Sequence, residues 1–191
     1  MVPSPYGAPA AVETLSTVAA PLLGGFSITL AGVVLQASDR FRYPGVALLL
    51  LAMAGALLLL CVQCGFWARH HYTTPEEASA WWPDYANSAA RQQMVFLEQA
   101  RSYVIFRRWS GRARRSYRYG IVTLLLGFMV TLMPRGAGFQ ETAQWAAVWV
   151  VGLAVAGELL WMASASPRLR RWLPRKVADW FAPQADPPRG T

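Results

Sequence analysis

The chain of 191 residues is predicted to be all-α: a polytopic membrane protein with four transmembrane helices, both termini cytoplasmic, and a helical cytoplasmic connection between spans two and three. Three observations predict this. Apolar side chains make up 54% of the chain and charged ones only 15%, and the apolar residues are bunched into long blocks, unlike those of one soluble core. Four blocks approach the ~20 residues with which a helix crosses ~30 Å of hydrocarbon. The basic residues behind the net charge of +8 lie between and after those blocks, where charge orients a protein in a bilayer. In a soluble chain that charge would indicate nucleic acid; its placement here argues against nucleic acid and for anionic lipid.

The first block runs from about Thr17 to Gln36 and the second from Gly45 to Ala68, neither holding a charge. The first is not expected to be a signal peptide, because the stretch before it contains Glu13 and no Lys or Arg. The third, Gly120 to Met133, is short; Tyr117, Arg118 and Tyr119 can snorkel where it begins, so it is counted as a span. The fourth runs from Thr142 to Ala165 and holds a single carboxylate, Glu158. Residues 69–118 contain nine arginines and the tail after Ala165 six basic residues, against Arg40, Arg42 and Arg135 in the two short loops. The positive-inside rule then makes the termini and the long connection cytoplasmic, with the short loops outside. Only Lys176 among the 18 basic residues is a lysine, a codon-usage bias that points to a GC-rich bacterium and hence to its plasma (inner) membrane. Residues 1–168 form the four-helix domain and 169–191 a basic amphipathic and disordered tail.

The long connection reads as ordered. Thr74, Pro75 and Glu77 form a capping box that starts a short helix. From Asp84 to Trp109 no Pro or Gly intervenes, and Phe96, Ala100 and Tyr103 share one face, with Leu97 and Val104 beside them. A helix is expected there, breaking near Gly111 before the third span. Arg107, Arg108, Arg112, Arg114, Arg115 and Arg118 then lie at the inner leaflet, as an orientation signal and contact for anionic headgroups or a cytoplasmic partner. In the tail, Leu169, Trp172, Leu173, Val177, Trp180 and Phe181 recur at helical spacing. Arg168, Arg170, Arg171, Arg175 and Lys176 fill the other positions, giving an interfacial segment interrupted at Pro174.

Chemical motifs are few. Cys61 and Cys64 lie in or at the inner end of the second span and read as packed thiols, with no carboxylate at metal-ligand spacing; no metal or cofactor is expected. No phosphate loop, H-E-x-x-H or Ser-His-Asp arrangement is present, so catalysis is not indicated. Glu158 sits ten residues before Arg168, roughly 15 Å along a helix and too deep to snorkel, so it should face protein or water. Gln63 and Thr123 fall in the same half of the bilayer and could hydrogen-bond it, either as a protonated structural acid or as part of an ion or proton site. In the first span Gly24, Ser27 and Ala31 make one row of small residues, and Gly25, Thr29 and Gly32 another beside it. Such a helix packs closely on a neighbour, and in a symmetric oligomer it can line a pore with the hydroxyls of Ser27 and Thr29.

The stretch "LLGGFSITLAGVVLQ", Leu22 to Gln36, a short outer loop and "PGVALLLLAMAGALLLLCVQCGFWARHHYT" resemble the first two spans of the Orai calcium-channel family. The resemblance covers about 50 residues and the topology. It implies four spans, both termini inside, and a ring of first helices around a pore. The sequence departs from that family at its pore-mouth glutamate, where Val33 stands, and in lacking any Lys or Arg in residues 1–16, so calcium selectivity is not implied. The expected function is an oligomeric channel-like membrane protein with the first span at its centre. The alternatives are a scaffold or accessory subunit docking a partner through the basic cytoplasmic helix, or a lipid-acting enzyme using Glu158 as base.

Overall fold

The computed structural model describes residues 8–72, 77, 80–81, 89–134 and 139–164, and every element among them is helical. In chain order these are α1 (Ala8–Thr14), a π-helical segment (Leu15–Ala19), α2 (Ala20–Gln36), a 3-10 turn (Ser38–Arg40), α3 (Pro44–His70), α4 (Ala89–Thr131) and α5 (Phe139–Ser164). Three stretches are long and apolar enough to cross a membrane: Pro9–Gln36, Pro44–His70 and Thr142–Ala163. Of the predicted short helix near Thr74, Thr74 and Pro75 lie outside the described residues, whereas Glu77, Ala80 and Trp81 are described and helical; the amphipathic tail lies outside, with Arg168, Arg170, Arg171, Arg175 and Lys176.

Two boundaries differ from the sequence expectation. The first helix begins well before Thr17, and its π segment has a local cause. Pro21, in the first turn of α2, has no N–H to donate, and its ring crowds the carbonyl one turn back. The backbone widens just before it, so that the Ala20 N–H reaches the Leu15 carbonyl. Ser16 and Thr17 reinforce the distortion by bonding back to the carbonyls of Val12 and Glu13, at 2.8 and 2.7 Å.

The second correction concerns Gly111. No break occurs there: α4 runs unbroken for 43 residues, so the helix expected before Gly111 and the third apolar block are one element. A glycine inside a helix costs ~1 kcal/mol relative to alanine. Phe106, Ser110 and Ala113 on either side are buried, and this packing holds the helix through Gly111.

The core is the antiparallel pair α3 and α4. Large residues of one helix sit on small residues of the other: Leu58 against Gly120, Leu51 against Gly127, and Cys61 and Cys64 in one cluster with Ala113. At Gly120 a Cβ would lie 2.9 Å from the Leu58 side chain, so the pair needs a glycine there to come this close. Farther down, Phe106 closes over Ala68 and Val12. Residue i of α3 therefore lies level with about residue 178 − i of α4, by the pairs Leu51/Gly127 and Leu58/Gly120. The rod of α1, the π segment and α2 packs into the same core and approaches α3 so closely that a Cβ on Gly65 would run into the Ser16 side chain. At the opposite end Arg42 donates to the Pro134 carbonyl beyond the C-terminus of α4, at 3.4 Å. The last helix, α5, is peripheral: among its described residues only Val148 and Val155 are buried hydrophobics.

Candidate functional site

The two small-residue rows of α2 have different surroundings. Gly24 and Ser27 are buried against α3; a Cβ on Gly24 would meet the Leu58 Cβ at 3.7 Å, and the Ser27 hydroxyl donates to the Leu51 carbonyl at 2.5 Å. Ala31 is half-buried on the same side and packs on the cluster around Val34 and Leu51. Ser27 is thus committed to a bond within the chain. Gly25 and Thr29 are exposed and Gly32 half-exposed, and a Cβ added to either glycine would touch nothing within 4 Å. The Thr29 hydroxyl bonds its own helix at the Gly25 carbonyl, 3.0 Å away. Gln36 is also exposed and continues this row by one turn.

The polar residues expected around Glu158 are not gathered there. Gln63 is exposed on α3, one turn from Trp67. Thr123 is buried, and its hydroxyl is taken by the Tyr119 carbonyl of its own helix at 2.7 Å. Glu158 itself is half-buried. Near it, the Arg118 guanidinium of α4 lies 4.8 Å above the ring of Trp161, less than one turn beyond Glu158. A cation held on an aromatic face one turn from an acid fixes how α5 sits along α4. Trp161 was not singled out by sequence, although its three-residue spacing from Glu158 already places the two on one side of a helix.

The six arginines of α4 divide into two rows. Arg108, Arg112 and Arg115 follow at spacings of four and three, and Arg107, Arg114 and Arg118 at seven and four, so the rows flank the buried line of Phe106, Ser110, Ala113 and Gly120 on opposite sides. The Arg118 row borders α5. The Arg112 row borders the C-terminal end of α3, where aromatic rings collect. Arg112 lies 4.6 Å over Trp109, Trp109 stacks on Trp67 at 6.3 Å, and Trp67 meets His70 edge-on at 5.9 Å. The His71 Nδ1 approaches the Trp67 carbonyl at 2.9 Å. On the other side of this end, Arg69 pairs with Glu13 of α1, tying the first rod to the base of α3.

Cys61 and Cys64 are free and buried. Among the described residues no three His, Cys, Asp or Glu side chains cluster as metal ligands. No protein-family model, no curated protein and no solved structure matches the chain.

Proposed function

We propose that the chain is the subunit of a homo-oligomeric inner-membrane protein with four spans and cytoplasmic termini, whose α2 helices stand together around a narrow channel-like path. One observation carries the reading: the row Gly25, Thr29 and Gly32 points away from its own chain and has nothing against it. Lipid tails contact leucine as well as glycine, so small residues gain their advantage where another helix backbone comes close. A ring of α2 helices uses that advantage. It places Thr29 and Gln36 toward the path and leaves Ser27 inside the subunit. This arrangement agrees with the ring of first helices that the Orai-type resemblance implies. Glu158, on the peripheral helix, serves in this reading as the acid that sets α5 against Arg118, away from the path.

Register supports a fourth crossing in this reading. The 27 residues of α3 measure ~40 Å, more than the ~30 Å hydrocarbon core. Because α4 is level with α3 over most of that length, its stretch from about Arg115 to Pro134 crosses the same layer, with Arg118 snorkelling along Trp161 toward the inner surface. The arginine rows and the His70–His71 end then lie at the cytoplasmic headgroups. The test is the mass of the complex in nanodiscs, followed by ion flux through reconstituted protein. A ring of four or more subunits, with flux lost in Gly25→Leu at normal expression, is the expected result. A monomer or dimer, or unchanged flux in that variant, removes α2 from any pore.

A second reading, an accessory subunit that docks a cytoplasmic protein, is favoured by the other end of α4. Met94, Leu97 and Val104 are exposed on a part of the helix that runs past the end of α3. Met94→Gln with Leu97→Gln should then lose a co-purifying partner while leaving oligomer mass unchanged. An identical set of co-purifying proteins in both forms eliminates it.

A further inference from the structure

We propose that the groove between the C-terminal end of α3 and the facing flank of α4 is a binding site for the phosphate-bearing headgroup of an anionic phospholipid. Trp67 and Trp109 form its floor, and Arg108, Arg112 and Arg115 form its basic wall. The proposal does not depend on the existence of a pore.

Four features converge on it. The aromatic floor is ordered: Trp67 and Trp109 stack at 6.3 Å, and Arg112 is held 4.6 Å over Trp109. A guanidinium held over a ring has its position set before the ligand arrives, and its N–H groups can still donate to phosphate. The site is also open, with Trp67 46% exposed and Arg108, Arg112 and Arg115 all exposed.

Charge supplies the third feature. Neither α3 nor the stretch of α4 from Arg101 to Thr131 contains a single Asp or Glu, so nothing on either wall neutralises the arginines. The opposite flank of α4 differs, because its Arg118 rests over Trp161 of α5, three residues beyond the acid Glu158. The six arginines are therefore inequivalent, and only one row is left wholly uncompensated by these helices. Depth is the fourth feature. The register of α3 on α4 sets Arg112 and Arg115 level with residues 63–66 of α3, one to two turns from its end and near the inner boundary of a ~30 Å hydrocarbon layer. Tryptophan and arginine are at home at that depth. There the exposed Gln63 amide adds a donor beside Trp67. A soluble acidic peptide would need none of this burial among rings; a lipid phosphate with its chains descending along Leu60 uses all of it.

The experiment compares the two rows at equal charge. Full-length protein is purified, and retained lipid is counted by native mass spectrometry after exchange into phosphatidylcholine with or without phosphatidylglycerol. The triple variant Arg108→Gln, Arg112→Gln, Arg115→Gln should lose phosphatidylglycerol retention by about tenfold or more. The triple variant Arg107→Gln, Arg114→Gln, Arg118→Gln should lose less than about threefold. Trp109→Phe, which removes no charge and keeps an apolar ring, should weaken retention about twofold with helicity unchanged. Equal losses in the two triples would mean a diffuse basic surface and overturn the site. Retention of phosphatidylcholine as strong as that of phosphatidylglycerol would also overturn it. Displacement of phosphatidylglycerol by excess inorganic phosphate would reassign the groove to a soluble anion; unchanged retention under that competition is the expected result.

Discussion

Gly24 and Gly25 are adjacent in sequence, yet one is buried against Leu58 and the other meets nothing within 4 Å. The same division runs along the whole first rod. Inward lie Ser16 on Gly65, Gly24 on Leu58 and Ser27 on the Leu51 carbonyl; outward lie Gly25, Thr29 and Gly32. The two rows, Gly24, Ser27 and Ala31 against Gly25, Thr29 and Gly32, are built of similarly small residues, so composition alone does not assign their roles. The inward row has used its smallness most fully where Ser16 meets Gly65, a distance that a single added carbon would violate, while a Cβ at Gly24 would only come into ordinary contact with Leu58. The outward row has the same smallness with no neighbour at its glycines among the described residues, and that contrast is the ground for placing a second copy against it.

Substitutions can break or sharpen this contrast, ranked by their effect on the single chain. Gly65→Ala puts a carbon where the Ser16 side chain stands and should cost roughly 2–3 kcal/mol in detergent unfolding. Ser16→Gly in the same chain should restore about half of it, and no rescue would mean that the two rods are not in contact there. Ser27→Ala removes one buried interhelical bond and should cost about 1 kcal/mol with oligomer mass unchanged. Loss of flux in that variant without loss of stability would return Ser27 to the path. Across the α4–α5 contact, Glu158→Gln and Arg118→Gln combined in a double-mutant cycle should couple by about 0.5 kcal/mol, and additive effects would separate them. The smallest effect on the isolated chain belongs to Gly25→Leu, within ~0.5 kcal/mol, although it should shift the complex to lower mass. A large destabilisation with unchanged mass would reverse the assignment of the two faces.

Much of the helical layout was legible because long apolar blocks and arginine-rich connections are first-order consequences of the bilayer. Pro44–His70 lies close to the predicted Gly45 to Ala68, and Phe139–Ser164 to the predicted fourth block. The continuity of α4 was not legible. Its arginines and Gly111 look like a break between domains, whereas the buried line Ser110, Ala113, Gly120 and Gly127 that holds it to α3 is interleaved among them at helical spacing. The arrangement around Glu158 was also hidden. Depth along a helix could be counted from Arg168, but direction around the axis depends on which neighbour each helix chooses. Thr123 and Gln63 share the acid's approximate depth and face elsewhere. The π segment was signalled by Pro21 one turn after Thr17, a pairing whose consequence is local and could have been read.

The unbroken α4 also has a mechanical consequence. At 1.5 Å per residue its 43 residues measure ~65 Å, and the part from Ala89 to Gly111 is ~33 Å of that. A stiff rod clamped by α3 at one end and running past the end of α3 at the other is a lever. A tilt of ~10° at the clamp moves Ala89 by about 6 Å. Any rearrangement of the membrane helices would thus be magnified at the tip, and a load applied to the tip would act on the Leu58–Gly120 contact as torque.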